Sequence, residues 1–289
     1  MAGSQPFAES RKARIAAALK PLRKGLPRIM AVINCTPDSF YSSSRTETTN
    51  ESIELCIKSL TSGADWIDIG GESTRPGASK VSTEEELRRV IPVVSGLREA
   101  RPEALISIDT RNVAVAQAAL DAGADLINDV SGLRDTEMVE LVLNTGCGVC
   151  IMHMEGIPGQ MQDNPEYDDV VQEVTESLLA SAQLLVGRGH SPELICLDPG
   201  IGFGKRLQHN LELLRNTSPL RGKDDFSVLL GVSRKSLFKD LLGRGEASQR
   251  LAGTLAVAAF ASYEGIDILR VHDVEEHFDL LKTLEELRR

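Results

Sequence analysis

Eight short apolar runs recur along the chain, at Arg28–Asn34, Asp65–Gly70, Ala104–Asp109, Asp125–Asp129, Gly148–His153, Glu193–Asp198, Ser227–Val232 and Ile266–Val271. Each ends on or beside a polar, charged or glycine residue, and a helical spacing of apolar positions follows nearly every one. An apolar run bounded by turn formers fits a strand buried on both faces, as in a parallel sheet. Strands alternating with helices make βαβ units, and eight such units close into one (β/α)8 TIM barrel of the α/β class. Such a barrel gathers its chemistry just past the C-terminal ends of its strands. Those positions here are Asn34, Glu72–Pro76, Asp109, Asn128, His153, Asp198, Ser233–Lys235 and Arg270–His272.

The rhythm runs from about residue 28 to 272 without a Pro/Ser-rich linker, so a single barrel domain over 28–289 is expected. Residues 1–27 form a short N-terminal extension, read as a tail or a helix over Ala8–Lys20, because no apolar segment marks a secretion signal. The sequence Gly-Ala-Asp recurs before apolar runs at Gly63 and Gly123, with Gly265-Ile266-Asp267 a weaker copy. Glycine closing a helix ahead of a strand accounts for that recurrence.

A net charge of −10 excludes nucleic acid as a bulk electrostatic partner but permits a small anionic substrate at a local cationic cluster. The longest apolar candidate, Leu251–Ala261, is too short for a membrane span, so a soluble cytoplasmic protein is expected. Cys147 and Cys150 have redox-motif spacing. Cys150, however, falls within the fifth run rather than at a helix N-terminus, where a thiolate is stabilised. Packing cysteines are the preferred reading.

Three runs end on Asp109, Asn128 and Asp198. Converging on one axis, two carboxylates and an amide make an acceptor surface for a heterocycle whose amino-amidine edge donates several N–H bonds, such as guanine or pterin. The competing reading of Asp109 is a cap for the next helix. Asn34 either holds a loop or offers a hard oxygen to a divalent cation. Gly70–Gly77 carries Arg75, whose planar fork suits phosphate, in what is either a closing lid or a solvated turn. Ser233-Arg234-Lys235-Ser236 and Arg270-Val271-His272 place cations on the arc nearest the first strand, the usual phosphate side of this fold. Asp198–Lys205 is neither a P-loop nor a dinucleotide fingerprint. Its glycines let backbone approach a flat ligand, with Phe203 available to stack or pack.

Taken together, Asn-x-Thr-Pro-Asp-Ser-Phe from Asn34, Gly-Gly-Glu-Ser-Thr-Arg-Pro-Gly from Gly70, Ser-Ile-Asp-Thr from Ser107 and Ile-Asn-Asp-Val-Ser-Gly from Ile127 resemble the dihydropteroate synthase family. So do Met-His-Met from Met152, Leu-Asp-Pro-Gly-Ile-Gly-Phe-Gly-Lys from Leu197, Gly-Val-Ser-Arg-Lys-Ser from Gly231 and Arg-Val-His-Asp from Arg270. The resemblance implies condensation of (7,8-dihydropterin-6-yl)methyl diphosphate with 4-aminobenzoate, giving 7,8-dihydropteroate and diphosphate in folate synthesis. It implies that Asp109, Asn128, Asp198 and Lys235 hold the pterin, with Met154, Phe203 and Gly231 lining its slot. Thr74, Arg75, Arg270 and His272 would grip the diphosphate, and Asn34 would ligate Mg²⁺. Phe40, Thr74, Pro76 and Ser236 would shape the 4-aminobenzoate site. Asp109, Asp198, Lys235 and Arg75 are the implied catalytic set, and a homodimer is the implied assembly.

The chain departs from the family pattern after Phe40, where Tyr41-Ser42-Ser43-Ser44-Arg45 replaces an acidic residue and two glycines. Its first loop is thus less acidic than is usual for the family. Two other readings share the acceptor pocket: a pterin-dependent methyltransferase barrel, and a catalytically silent pterin-binding paralogue. Neither needs Arg75, Arg270, His272 and a metal-binding Asn34 together.

Overall fold

Each of the eight apolar runs forms a strand, and the eight pair in parallel, in chain order, until the last closes on the first. The computed structural model describes residues 5–22, 25–36, 45–72, 81–156 and 165–288. The strands are β1 (Arg28–Asn34), β2 (Trp66–Gly70), β3 (Leu105–Asp109), β4 (Leu126–Asp129), β5 (Gly148–Met152), β6 (Ile195–Asp198), β7 (Ser227–Leu230) and β8 (Ile268–Val271). The expected TIM barrel is the observed one. Several strands begin a residue or two later than their apolar runs. Before β6, residues Pro192–Leu194 make a single 3₁₀ turn instead of extended chain. After β7 the chain leaves the ladder early, because Lys235 N–H turns back to the Val232 carbonyl at 3.1 Å.

Register decides which side chains enter the barrel. Met30, Trp66 and Leu105 are level neighbours, as are Asp68 and Ser107, and then Asn34, Gly70, Asp109 and Asn128. Alternate residues such as Ile67, Ile69, Ile106 and Ile108 point the other way and are buried beneath the helices. The interior is therefore apolar at the strand starts and polar at the strand ends.

The α-helices are α1 (Glu9–Leu19), α2 (Arg45–Thr61), α3 (Thr83–Ala100), α4 (Val113–Asp121), α5 (Thr136–Thr145), α6 (Val170–Gly187), α7 (Leu207–Arg215), α8 (Leu237–Leu242), α9 (Leu251–Tyr263) and α10 (Val274–Leu287). Ser82, Asn112, Asp135 and Asp169 cap α3, α4, α5 and α6 by accepting backbone N–H bonds, each worth roughly 1 kcal/mol. Since Asn112 caps α4, Asp109 is not the cap of that helix.

Helix α1 closes the floor of the barrel. Ile15 and Leu19 are fully buried, each contributing roughly 1.5–3 kcal/mol of apolar burial, and the Trp66 indole N–H donates to the Ala18 carbonyl at 3.0 Å. The N-terminal extension thus packs against the strand starts. All five cysteines are buried, and burial raises the thiols of Cys35 and Cys147 to about 11. Cys150 and Cys196, level neighbours on β5 and β6, are free thiols joined by a side-chain hydrogen bond.

Candidate active site

The strand ends bring Asp109, Asn128, Asp198, Lys235 and Arg270 to one mouth. Asp109 lies just under the opening, one strand from Asn128, and the Arg270 Nη2 donates to Asp109 Oδ2 at 2.5 Å. The Arg270 Nε donates to Asp68 Oδ2, also at 2.5 Å. Asp68 is fully buried and further accepts from Ser107 Oγ at 2.5 Å and Asn128 Nδ2 at 3.2 Å. One guanidinium thus spans two carboxylates. The sequence reading set Arg270 among the cations of the phosphate arc. Arg270 instead reaches inward among the acids.

These groups carry shifted proton affinities. Burial pushes Asp109 from 3.8 up to about 7, against the pull of Arg270 and with Asp68, Glu86 and Asp129 adding to the rise. Burial also raises Asp198, opposed by Lys235 and by the Gly200 N–H that donates to its Oδ1 at 2.8 Å. Lys235 is lowered to about 8 by burial, which Asp198 resists and Arg270 reinforces. For Arg270 burial lowers the proton affinity, but the attraction of Asp68 and Asp109 overrides it and the net change is upward.

A small apolar wall flanks this polar set. Val130, Met152 and Met154 pack together with Phe203 against them, and Lys235 Nζ sits 4.4 Å over the Phe203 ring. Lys235 Nζ also donates to the Ile201 carbonyl at 2.5 Å. Gly231 borders Asp198 and Arg270, and a Cβ there would stand 3.7 Å from Asp198 Oδ2. Any side chain longer than alanine would occupy the space above both. The wall is held by a tight approach at Gly200, whose φ is +66° and where a Cβ would stand 1.8 Å from the His153 carbonyl oxygen. Gly200 and Gly204 thus serve close packing against the His153 and Glu155 backbone, whereas the sequence reading assigned the glycines of this segment to a flat ligand.

At the far arc, His272 is exposed, with its N–H and Nδ1 each 3.1 Å from Ser233 Oγ, and Ser236 is exposed at the start of α8. Arg234 does not join the mouth. Its backbone turns at φ +58° and its guanidinium forms a two-pronged pair with Asp273, on Nε at 2.9 Å and through Nη2. The expectation that the whole Ser233–Lys235 segment faces the ligand is corrected on that point: a tight turn sends adjacent side chains opposite ways. Asn34 ends β1 beside Gly70, half-buried, with its amide at the rim. Phe40, Thr74, Arg75 and Pro76, together with the Tyr41–Ser44 departure, lie outside the described residues.

Two further groups belong to the site: Asp68, which strand-end positions do not include, and Lys205, which the sequence places only at the end of a glycine-rich segment. Asp68 sits inside a run that is otherwise apolar, and a carboxylate in a doubly buried strand demands partners. Lys205, almost fully buried, donates to His153 Nδ1 at 2.9 Å and to the Phe203 carbonyl at 3.0 Å. Burial lowers Lys205 to about 7 and His153 to about 3, so the imidazole is neutral and acts as the acceptor.

Residues 30–272 match the model of the pterin binding enzyme family. The chain is 44% identical over 267 residues to the dihydropteroate synthase of Neisseria meningitidis serogroup C, a match spanning 90% of this chain and 93% of that one. It is 41% identical over 259 residues to the dihydropteroate synthase of Escherichia coli K12, spanning 90% and 91%. The solved Yersinia pestis dihydropteroate synthase, with a sulfonamide drug complex, superposes with a TM-score of 0.84 at 40% identity, covering 92% of this chain and 96% of that one. The chain belongs to the dihydropteroate synthase family of pterin-binding enzymes. Another solved dihydropteroate synthase, from Burkholderia cenocepacia, is complexed with 7,8-dihydropteroate; it superposes with a TM-score of 0.82 at 40% identity, covering 91% of each chain. The matched residues 30–272 take in the ends of all eight strands.

Proposed function

We propose that this dihydropteroate synthase family member joins (7,8-dihydropterin-6-yl)methyl diphosphate to 4-aminobenzoate, releasing diphosphate and 7,8-dihydropteroate. The observation that carries the reading is the convergence of Asp109, Asn128 and Asp198 beside Lys235 and Arg270 at one mouth. Carboxylate and amide oxygens accept the pterin's N–H groups, and the wall of Met154, Phe203 and Val130 flanks its flat ring. Arg270 and His272, with Thr74 and Arg75, hold the diphosphate. Phe40, Pro76 and Ser236 border the 4-aminobenzoate.

Chemically, the diphosphate leaves as the C–O bond lengthens and positive charge spreads into the pterin ring. Asp109 and Asp198 face that charge, and the cations oppose the charge growing on the leaving group. The arylamine then attacks the methylene carbon without a covalent enzyme intermediate. Scrambling of bridging oxygen label in recovered substrate, when 4-aminobenzoate is absent, is the expected result. Its absence, with a steep dependence of rate on the nucleophile, overturns the dissociative route.

Asn34 fits Mg²⁺ as a single hard oxygen ligand at the rim. No group of three or more His, Cys, Asp or Glu side chains among the described residues is arranged for a metal, and Mg²⁺ characteristically relies on water and substrate phosphates for most of its shell. When bound there, the ion supplies charge neutralisation to the diphosphate. A homodimer through the outer helices is supported by exposed Leu241 and Leu242 on α8 and Phe260 on α9, and sedimentation velocity tests it. No helix among the described residues is long and apolar enough to cross a membrane, and a cytoplasmic location is our accompanying reading.

The deciding assay mixes the protein with both substrates and Mg²⁺ and measures diphosphate and dihydropteroate together. Pterin binding without diphosphate release revives the methyltransferase barrel and the silent paralogue. Methyl transfer from methyltetrahydrofolate to a corrinoid protein then separates those two.

A further inference from the structure

We propose that Asp68 is a positioning residue that keeps Arg270 at the barrel mouth, so that Arg270 can yield Asp109 to the pterin and turn its freed nitrogen to the diphosphate. This rests on the reading of Asp109 and Arg270 given above. The two carboxylates divide one guanidinium: Asp68 takes Nε and Asp109 takes Nη2, each at 2.5 Å. A pterin held by Asp109 competes with Arg270 for the same oxygens. Without a second anchor, an arginine losing that bond would be free to leave the site.

Asp68 is built as that anchor. It lies one layer below Asp109, level with Ser107, and is fully buried. The Ser107 hydroxyl donates to Oδ1, which fixes the carboxylate plane and leaves Oδ2 to Arg270. Oδ2 also accepts from Asn128 Nδ2, which turns the opposite, oxygen end of that amide toward the cavity as an acceptor. One carboxylate thereby orients a residue on each side of the substrate's reacting bond: Asn128 for the ring and Arg270 for the leaving group. Holding groups in place before the substrate arrives removes a reorganisation step from the reaction.

Charge alone and positioning predict opposite signs for Asp68→Asn. Removing an anion beside Arg270 should strengthen attraction for diphosphate if only charge mattered. Losing the anchor should weaken it. The test is calorimetric titration of inorganic diphosphate with Mg²⁺ into the wild type and Asp68→Asn, alongside steady-state kinetics. We expect diphosphate affinity to fall roughly tenfold or more and kcat to fall by a larger factor than KM rises. Unchanged or tighter diphosphate binding overturns the proposal. Should Asp68→Asn fail to fold, crystal structures of the wild type, empty and soaked with the dihydropterin diphosphate, decide it. The Arg270–Asp68 bond should persist in both while Arg270–Asp109 breaks in the second. Departure of Arg270 from Asp68, or retention of both bonds, overturns it. A wild type that binds diphosphate yet makes no dihydropteroate would sink the proposed reaction instead, leaving these outcomes readable.

Discussion

The two ends of the barrel handle their carboxylates in opposite ways. At the floor, Asp65, Asp125 and Asp267 each precede a strand and clip the start of a neighbouring one through a backbone N–H: Ile29 N at 2.9 Å, Ile106 N at 3.0 Å and Val228 N at 2.8 Å. Each also meets arginine. Arg28 serves Asp65, Arg221 serves Asp267, and Arg11, Arg14 and Arg98 all converge on Asp125. At the mouth, Asp68, Asp109 and Asp198 share Arg270 and Lys235. The floor matches or exceeds its acids with cations. At the mouth Arg270 bridges Asp68 and Asp109, while Lys235 and Lys205 act on Asp198 without an ion pair among the described residues, so acceptor oxygens are left for a substrate rich in N–H donors. Stability is built where charge is satisfied, and function where it is not.

The largest effect should come from the mouth. Asp109→Asn replaces one of two acceptor oxygens facing the pterin with a donor NH2 and leaves Arg270 ion-paired with Asp68 alone. We expect kcat/KM to fall by roughly 10³-fold, equivalent to about 4 kcal/mol, in steady-state assays. Its melting temperature should hold or rise, because an anion that burial disfavours has been removed. A large loss of stability together with activity would show that Asp109 belongs with the floor acids. Next comes Asp125→Ala, which strands three arginines and the Ile106 N–H. The arginines are partly exposed and can turn to water, so the cost should lie near the low end for breaking a buried pair, about 3 kcal/mol by denaturant titration. Turnover per folded molecule should not change. If it does, the two ends are coupled and the comparison fails.

The same contrast explains what could be read from the sequence. All eight strands were legible because doubly buried parallel strands leave uninterrupted apolar runs, and the residue that ends such a run becomes a rim residue. Asp109, Asn128 and Asp198 follow from that rule alone. Asp68 did not, because attention to strand ends passes over a charge in mid-run, although its burial there required partners. The Gly-Ala-Asp recurrence was read through its glycine; the repeated clip by the aspartate needs the neighbouring strand, which no local pattern supplies. Arg234 and Lys235 are adjacent and chemically alike, and only the left-handed turn at Arg234 decides which enters the mouth.

A third effect is pH-dependent and of opposite sign for binding and stability. Asp109 faces Arg270 and Lys235 as cations and Asp68, Glu86 and Asp129 as acids, and takes up a proton at about 7. Below that value its carboxylate loses an acceptor oxygen. Affinity for 6-hydroxymethyl-7,8-dihydropterin should weaken as pH falls from 8 to 6, approaching about tenfold per unit at the acid end. For stability the sign reverses. A folded pKa raised from 3.8 to about 7 means Asp109 favours folding at low pH, and that contribution is lost as pH rises through about 7. The advantage in melting temperature of Asp109→Asn over the wild type should therefore shrink between pH 8 and pH 6. An advantage independent of pH would show that Arg270 and its neighbours already satisfy the carboxylate.

The smallest effect sharpens the comparison within the floor itself. Asp267 is buried like Asp125, but it meets Arg221 where Asp125 meets three arginines, and burial raises its pKa with the Val228 N–H and Arg221 only opposing that rise. Asp267→Asn keeps an oxygen that can accept from both donors and removes a charge that burial disfavours. Losing the charge-assisted part of these bonds should cost about 1 kcal/mol by denaturant titration. That is well below Asp125→Ala, and Asp125→Asn provides the matched substitution. Ranking Asp125→Asn above Asp267→Asn would show that the floor's strength scales with the arginines gathered on each clip. Equal losses would place it in the shared backbone N–H bond, and the charge contrast between floor and mouth would then lose its role in stability.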